Sequence, residues 1–177
     1  MLEPLDPTTQ GQLHRQARLI FPEPWTLAGD WLRGRSAAVE ESALHLDQDM
    51  SARYADAYRL LGVRDLLAVA TEPLGDSTLA YRLEATQADL LAFNRECSGL
   101  NYTLTDSPSF TNLVACTSED FILIAGDRPF VLACIGGDIA AARAQFEEYA
   151  ESHAKSMQPV LHRALAYFDT LSRSPNE

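Results

Sequence analysis

The stretch from Asp120 to His153, DFILIAGDRPFVLACIGGDIAAARAQFEEYAESH, decides how the chain is read. Phe121 to Ala125 is an unbroken apolar run carrying Phe121, Ile122 and Ile124, the profile of a strand covered on both faces. Gly126 and Asp127 stop it. Asp127 is placed to accept hydrogen bonds from the unpaired amides of a following helix, and Pro129 suits the first turn, which has no use for its missing N–H. Gly136 and Gly137 then end that helix, and Asp138 caps the next. Its inward stripe is Ile139, Ala142, Phe146, Tyr149 and His153, while Arg143, Glu147, Glu148 and Glu151 face water.

Working outward toward the C-terminus, Ser156 opens a last helix with Met157, Val160, Leu161, Ala164, Phe168 and Leu171 on one side, and Ser172 to Glu177 should fray. Toward the N-terminus, Asn101 to Thr105 and Phe110 to Cys116 read as further strands, with Asp106 to Ser109 and Thr117 to Asp120 as their turns. Thr86 and Asp89 form a capping box with Asp in place of the usual Glu, opening a helix that turns Leu90, Leu91, Phe93 and Cys97 inward and stops at Gly99. Asp65 to Thr71 and Thr78 to Glu84 read as a hairpin around the turn Glu72 to Ser77.

The first 62 residues read as helical and less regular. Thr8 or Thr9 would cap a helix with Leu13, Ala17 and Ile20 inward, broken by Pro22 and Pro24. Trp25, Leu27, Trp31 and Leu32 would pin the following loop to the body. Ser36 to Leu61 reads as helix, interrupted near Asp49 to Ser51, and Gly62 ends it. The expectation is one α+β domain: a helical part over 1–62, strands with one inserted helix over 63–126, and C-terminal helices over 127–172. The connections suit hairpins better than long crossovers, so the sheet should be mostly antiparallel, with about four or five strands and the two C-terminal helices packed on it.

Composition narrows the class of protein. A length of 177 residues with 46% hydrophobic residues is ordinary for one folded domain. The N-terminus lacks the basic start and apolar core of a signal peptide, and no apolar run approaches a membrane span, so a soluble cytoplasmic protein is expected. Cys97, Cys116 and Cys134 are odd in number and each lies within an apolar pattern, which predicts reduced, buried thiols. A formal charge of −11 opposes binding to nucleic acid or anionic lipid, both of which need a cationic surface. Only Lys155 among the 14 basic residues is a lysine, a bias associated with GC-rich bacterial genomes.

Candidate chemistry is sparse. His45, Asp47 and Asp49 would share one side of an extended segment, and Glu41, His45 and Asp49 would share one stripe of a helix, but neither set has a second histidine or a thiolate at a supporting distance. No metal is expected there. Asp127 and Arg128 follow the buried strand where an anion could sit on helix amides, except that the carboxylate of Asp127 would occupy those amides first. Gly136-Gly137-Asp138 lacks the glycine spacing, the lysine and the hydroxyl of a phosphate loop. There is no nucleophile elbow, no cysteine has the local signature of an activated thiolate, and no cofactor is expected.

Three readings of function follow. The first is a small acidic, non-enzymatic module that binds a basic protein, of the adaptor, chaperone or immunity type, using Glu40, Glu41, Asp47, Asp49 and Asp56 as an acidic face. The second is an enzyme whose site gathers distant groups, His45 and Asp49 with Asp127 and Arg128. The third is a homo-oligomeric structural or regulatory domain. The enzyme reading requires the loop before Tyr54 and the turn after Ala125 to meet in space.

Overall fold

The structure is a computed structural model that describes residues 2–42, 46–71, 79–97, 99–117 and 119–172. Among these residues, seven strands form one antiparallel sheet: β1 (Glu3–Pro4), β2 (Ser36–Glu41), β3 (Asp65–Ala70), β4 (Ala80–Glu84), β5 (Tyr102–Thr105), β6 (Leu113–Cys116) and β7 (Phe121–Gly126). The order across the sheet is β1-β4-β3-β5-β6-β7-β2. The helices are α1 (Pro7–Ile20), α2 (Gly29–Leu32), α3 (Gln48–Leu60), α4 (Gln87–Glu96), α5 (Arg128–Cys134), α6 (Ile139–Ser152) and α7 (Gln158–Leu165), followed by a 3₁₀ helix over Ala166–Ser172. The α+β expectation holds, with more strands than expected.

Strand β7 is buried at every residue, as its unbroken apolar run predicts. Its register assigns the two faces of the sheet. Ile122 and Ile124 share one face with Glu40 and Ala38 of β2 and with Leu104 of β5. That face carries α3, whose Tyr58 hydroxyl donates to the Leu104 carbonyl at 3.0 Å, and α4, whose Phe93 ring meets Tyr102 edge-on at 4.8 Å. Helix α5 packs beside α3 through Phe130 on Tyr58. On the opposite face Phe121 takes Trp25 and Phe146 of α6, both in edge contacts. Trp25 thus anchors its loop to the body, as the sequence predicts.

The principal correction concerns Ser36–Glu41, SAAVEE, which the sequence predicts as helix and the structure pairs with β7. Alanine and glutamate are good helix formers, but residues 36–39 are buried, and burial beside β7 outweighs local propensity. With both faces covered, no alternation marks the strand.

Local signals elsewhere are largely met. Asp6, not Thr8 or Thr9, caps α1: its carboxylate accepts from the amides of both threonines at 3.0 Å, with Pro7 at the first helical position. Thr86 accepts from the Asp89 amide, but Asp89 reaches back to the Glu84 amide instead of that of Thr86. Asp138 caps α6 through the Ala141 amide after Gly136 and Gly137, both at positive φ. The last helix begins at Gln158 and tightens into 3₁₀ geometry after Leu165. β3 and β4 pair as the expected hairpin, while the turn Glu72 to Ser77 and the tail beyond Ser172 lie outside the described residues.

Both edges of the sheet are partly covered. On β2, the Thr170 hydroxyl accepts from the Ala37 amide at 2.6 Å and donates its one hydrogen to the Tyr167 carbonyl at 2.7 Å, with the Ala37 carbonyl farther off at 3.2 Å. On β4, the two-residue β1 with its Pro4 covers Tyr81 and Arg82, and Asp89 takes the Glu84 amide. No helix among the described residues is long and apolar enough to cross a membrane.

Candidate functional site

The chain leaves β2 at Glu41 and enters α3 at Gln48, so the end of the edge strand and the first turn of a helix stand side by side. Two adjoining cavities, of about 780 Å³ and 360 Å³, open there and share Glu41, Asp47 and Met50 in their walls. Leu46, Met50, Leu91 and Tyr149 border the first. Glu40, Glu41, Asp47, Asp49 and Arg53 border the second, over Ile135 and Phe146.

Tertiary hydrogen bonds hold this groove open. The Asn94 side chain of α4 pairs with the backbone of Leu46 as another strand would, accepting from its amide and donating to its carbonyl, each at 3.2 Å. Asn94 also accepts from the Tyr102 hydroxyl at 2.8 Å. Across the groove, Gln145 of α6 donates to Glu41 at 3.0 Å, and the Tyr149 hydroxyl donates to the Asp120 carbonyl at 2.6 Å. Burial, then the charges of Asp120 and Glu41, push the Tyr149 phenol up to about 12, so it stays a neutral donor.

The carboxylates of the groove differ in state. Glu40, read from sequence as part of an exposed face, is mostly buried: its side chain is 15% exposed. It accepts from Arg53 at 2.7 Å and from the Tyr54 hydroxyl, while Arg53 also donates to the Cys134 carbonyl. A charge taken this far from water needs such partners, since its desolvation is otherwise uncompensated. Burial lowers the Arg53 pKa, but the hydrogen bond and charge of Glu40 outweigh it and leave the guanidinium more firmly protonated than usual. Burial, reinforced by Glu40, drives the Tyr54 phenol well above its ordinary range. Glu40, Arg53 and Tyr54 therefore form a closed, neutralised floor.

Asp47 and Asp49 are exposed and Glu41 is half-buried. One oxygen of Asp47 caps α3 through the Met50 amide at 2.7 Å, and Asp49 lies in the same first turn, where the helix dipole favours negative charge. The structure thus brings together Glu40, Glu41, Asp47 and Asp49. Asp56 stands apart, exposed on α3 and paired with Arg59.

The set proposed for catalysis does not converge. Ser36 pairs with Gly126 and Glu41 with Phe121, so the turn carrying Asp127 and Arg128 and the loop before α3 leave opposite ends of the β2–β7 pair. Five residue steps separate those ends, about 17 Å at about 3.4 Å per residue. Nor does the Asp127 carboxylate fill the amides of α5, as the sequence suggests; it makes no capping bond, and its own amide donates to the Asn112 side chain at 2.8 Å. Arg128 reaches the Leu171 carbonyl at 3.4 Å. Glu41 on a strand and Asp49 on a helix cannot share a helical stripe, which removes that metal set, and His45 lies outside the described residues. No group of three or more His, Cys, Asp or Glu among the described residues is arranged to hold a metal.

The three cysteines are free and buried. Burial raises the thiols of Cys97 to about 11 and Cys116 to about 12, and pushes Cys134 up with Glu40 adding to it, the reverse of what a thiolate nucleophile needs. Sequence reading misses Met50, Leu91, Asn94, Gln145 and Tyr149 as groove residues. Only Asn94 carries a local signal, a poor helix former placed four residues after the buried Leu90. The chain matches no protein-family model, no curated protein and no solved structure.

Proposed function

We propose that this protein is a non-enzymatic binding module for a basic protein partner, of adaptor, chaperone or immunity type, acting in the cytoplasm. The observation that carries this reading is the groove at the end of β2, where Glu41, Asp47 and Asp49 border a polar cavity that adjoins a larger one with Leu46, Met50 and Leu91 in its wall. Arg53 adds little positive field because Glu40 neutralises it, which leaves Arg95, in the wall of the larger cavity, as the other cation against those three carboxylates among the described residues. Such a field draws basic surfaces in and repels phosphates and acidic partners. Cavities of these sizes fall within the range of about 300–1,000 Å³ that ligand sites occupy. The raised thiols and the separation of Asp49 from Asp127 and Arg128 support binding over catalysis. The capped edges of the sheet support a separate partner over self-association through strands.

The test is capture of partners by the tagged protein from its own cells at low and high salt, beside a Glu41→Lys/Asp49→Lys variant. A basic protein held at low salt, released as salt rises and absent from the variant is expected. Finding no basic protein in either condition refutes the proposal.

A further inference from the structure

We propose that the groove reads two neighbouring side chains of its partner together, an arginine or lysine in the acidic chamber and an apolar side chain in the chamber beside it. This rests on the binding-module reading and adds what the partner must present. The carboxylates alone would not constitute a site, because exposed ion pairs contribute little and are screened by salt. What the structure adds is a chamber of about 780 Å³ in which Leu46, Met50 and Leu91 supply an apolar wall beside the polar groups of Asn94 and Arg95, sharing a partition with the acidic one. The partition is Glu41, Asp47 and Met50, two carboxylates and a thioether, so a cation and an apolar group on adjacent positions of one segment meet the matching wall at once.

The state of each carboxylate fixes where the cation goes. Glu40 is already satisfied by Arg53 and Tyr54. Asp47 spends one oxygen on the Met50 amide, which leaves the other to the groove, and Glu41 is held by the Gln145 amide, a neutral donor that an incoming guanidinium or ammonium replaces with a charged one. Asp49 at the rim completes the field. Met50 suits the larger chamber because its unbranched thioether adapts to side chains of different shape. An acidic segment or a phosphate backbone is opposed by charge, and strand addition is opposed because Thr170 and Asp89 hold edge amides of β2 and β4.

The experiment uses the full chain and fluorescently labelled synthetic peptides, read by anisotropy in low salt. One peptide alternates leucine with arginine; in the others glycine replaces leucine, glutamine replaces arginine, or glutamate replaces arginine. The leucine–arginine peptide should bind at least tenfold more tightly than each of the others and weaken as salt rises. Asp49→Lys and Met50→Ala should each weaken it several-fold, while Asp56→Lys, an equal charge change outside the groove, should leave it within twofold. Circular dichroism confirms that each variant is folded. Equal binding of the glycine–arginine peptide, or equal loss from Asp56→Lys and Asp49→Lys, overturns the inference in favour of unspecific charge attraction. A captured basic partner that is indifferent to Met50→Ala and Asp49→Lys would leave the binding-module reading standing and this one refuted.

Discussion

Among the glycines of the described residues, Gly126 is the one at which replacement by alanine should cost the fold most. A Cβ built there would lie 2.3 Å from Asn112 Oδ1 and 2.8 Å from Asn112 Cα, and the residue sits at φ +147°, which L side chains rarely adopt. The Asn112 side chain cannot swing aside freely. Its Oδ1 accepts from the Asp127 amide at 2.8 Å, its Nδ2 donates to Asp106 at 2.7 Å, and its own amide donates to Asp106 at 3.1 Å. The second clash is with main chain, which no rotamer change relieves, so the β6–β7 ladder itself must shift. Backbone strain of about 1–3 kcal/mol and overpacking of about 1–3 kcal/mol, less about 0.4–1 kcal/mol gained by restricting the unfolded chain, give a net loss of about 1–5.6 kcal/mol. For a domain of this size each kcal/mol lowers Tm by about 2–4 °C, so a fall on the order of 10 °C is expected. Urea unfolding followed by circular dichroism supplies the free energy, with an unchanged slope showing that stability alone has moved. Gly62→Ala is the control, since Gly62 also has positive φ, +77°, but nothing lies within 4 Å of its Cβ position. If the two variants lose equal stability, the close approach of Asn112 is not what requires glycine at 126.

Two further outcomes follow from the buried polar groups. Thr170→Val keeps the shape but strips the hydroxyl from the Ala37 amide and the Tyr167 carbonyl, and leaving the buried Ala37 amide unpaired should cost about 1–3 kcal/mol; Thr170→Ser, which retains the hydroxyl, should lose less in the same urea melt. Stability should also decline in alkali. Cys97 and Cys116 have folded pKa values of about 11 and about 12 against an ordinary 9.0, chiefly through burial, so the fold binds their protons more tightly than the unfolded chain does. That contribution is complete below about pH 9 and is lost as pH rises toward 12. Urea midpoints measured from pH 8 upward should fall above about pH 9, and Cys116→Ala should flatten the decline; an unchanged slope in the variant would contradict the assignment.

Much of the C-terminal half was legible because its boundaries are local chemistry. The apolar run of β7, the glycines at 136 and 137 and the Asp138 cap each act within a few residues of themselves. The acidic character of Glu41, Asp47 and Asp49 was equally plain, but their gathering was not, because it depends on where β2 ends relative to α3. Glu40 shows the limit well: its neighbour Glu41 faces the opposite side of the sheet, and only the register that sets Glu40 against Ile122 explains why one carboxylate is paired with Arg53 on the floor of the groove and the other takes the Gln145 side chain at its wall.

By itself, then, the sequence determined the α+β class, the helix caps at Thr86 and Asp138, the buried thiols and the sign of the net charge, all of which follow from composition or from hydrogen bonds spanning a few residues. Tertiary structure decided that SAAVEE is an edge strand, that Asp127 and Arg128 lie at the far end from Asp49, and that Asn94 and Gln145 shape the groove. The physical reason is that burial is a property of the assembled sheet: alanine and glutamate carry helix propensity alone, and only the wall offered by β7 makes an extended conformation the more stable one.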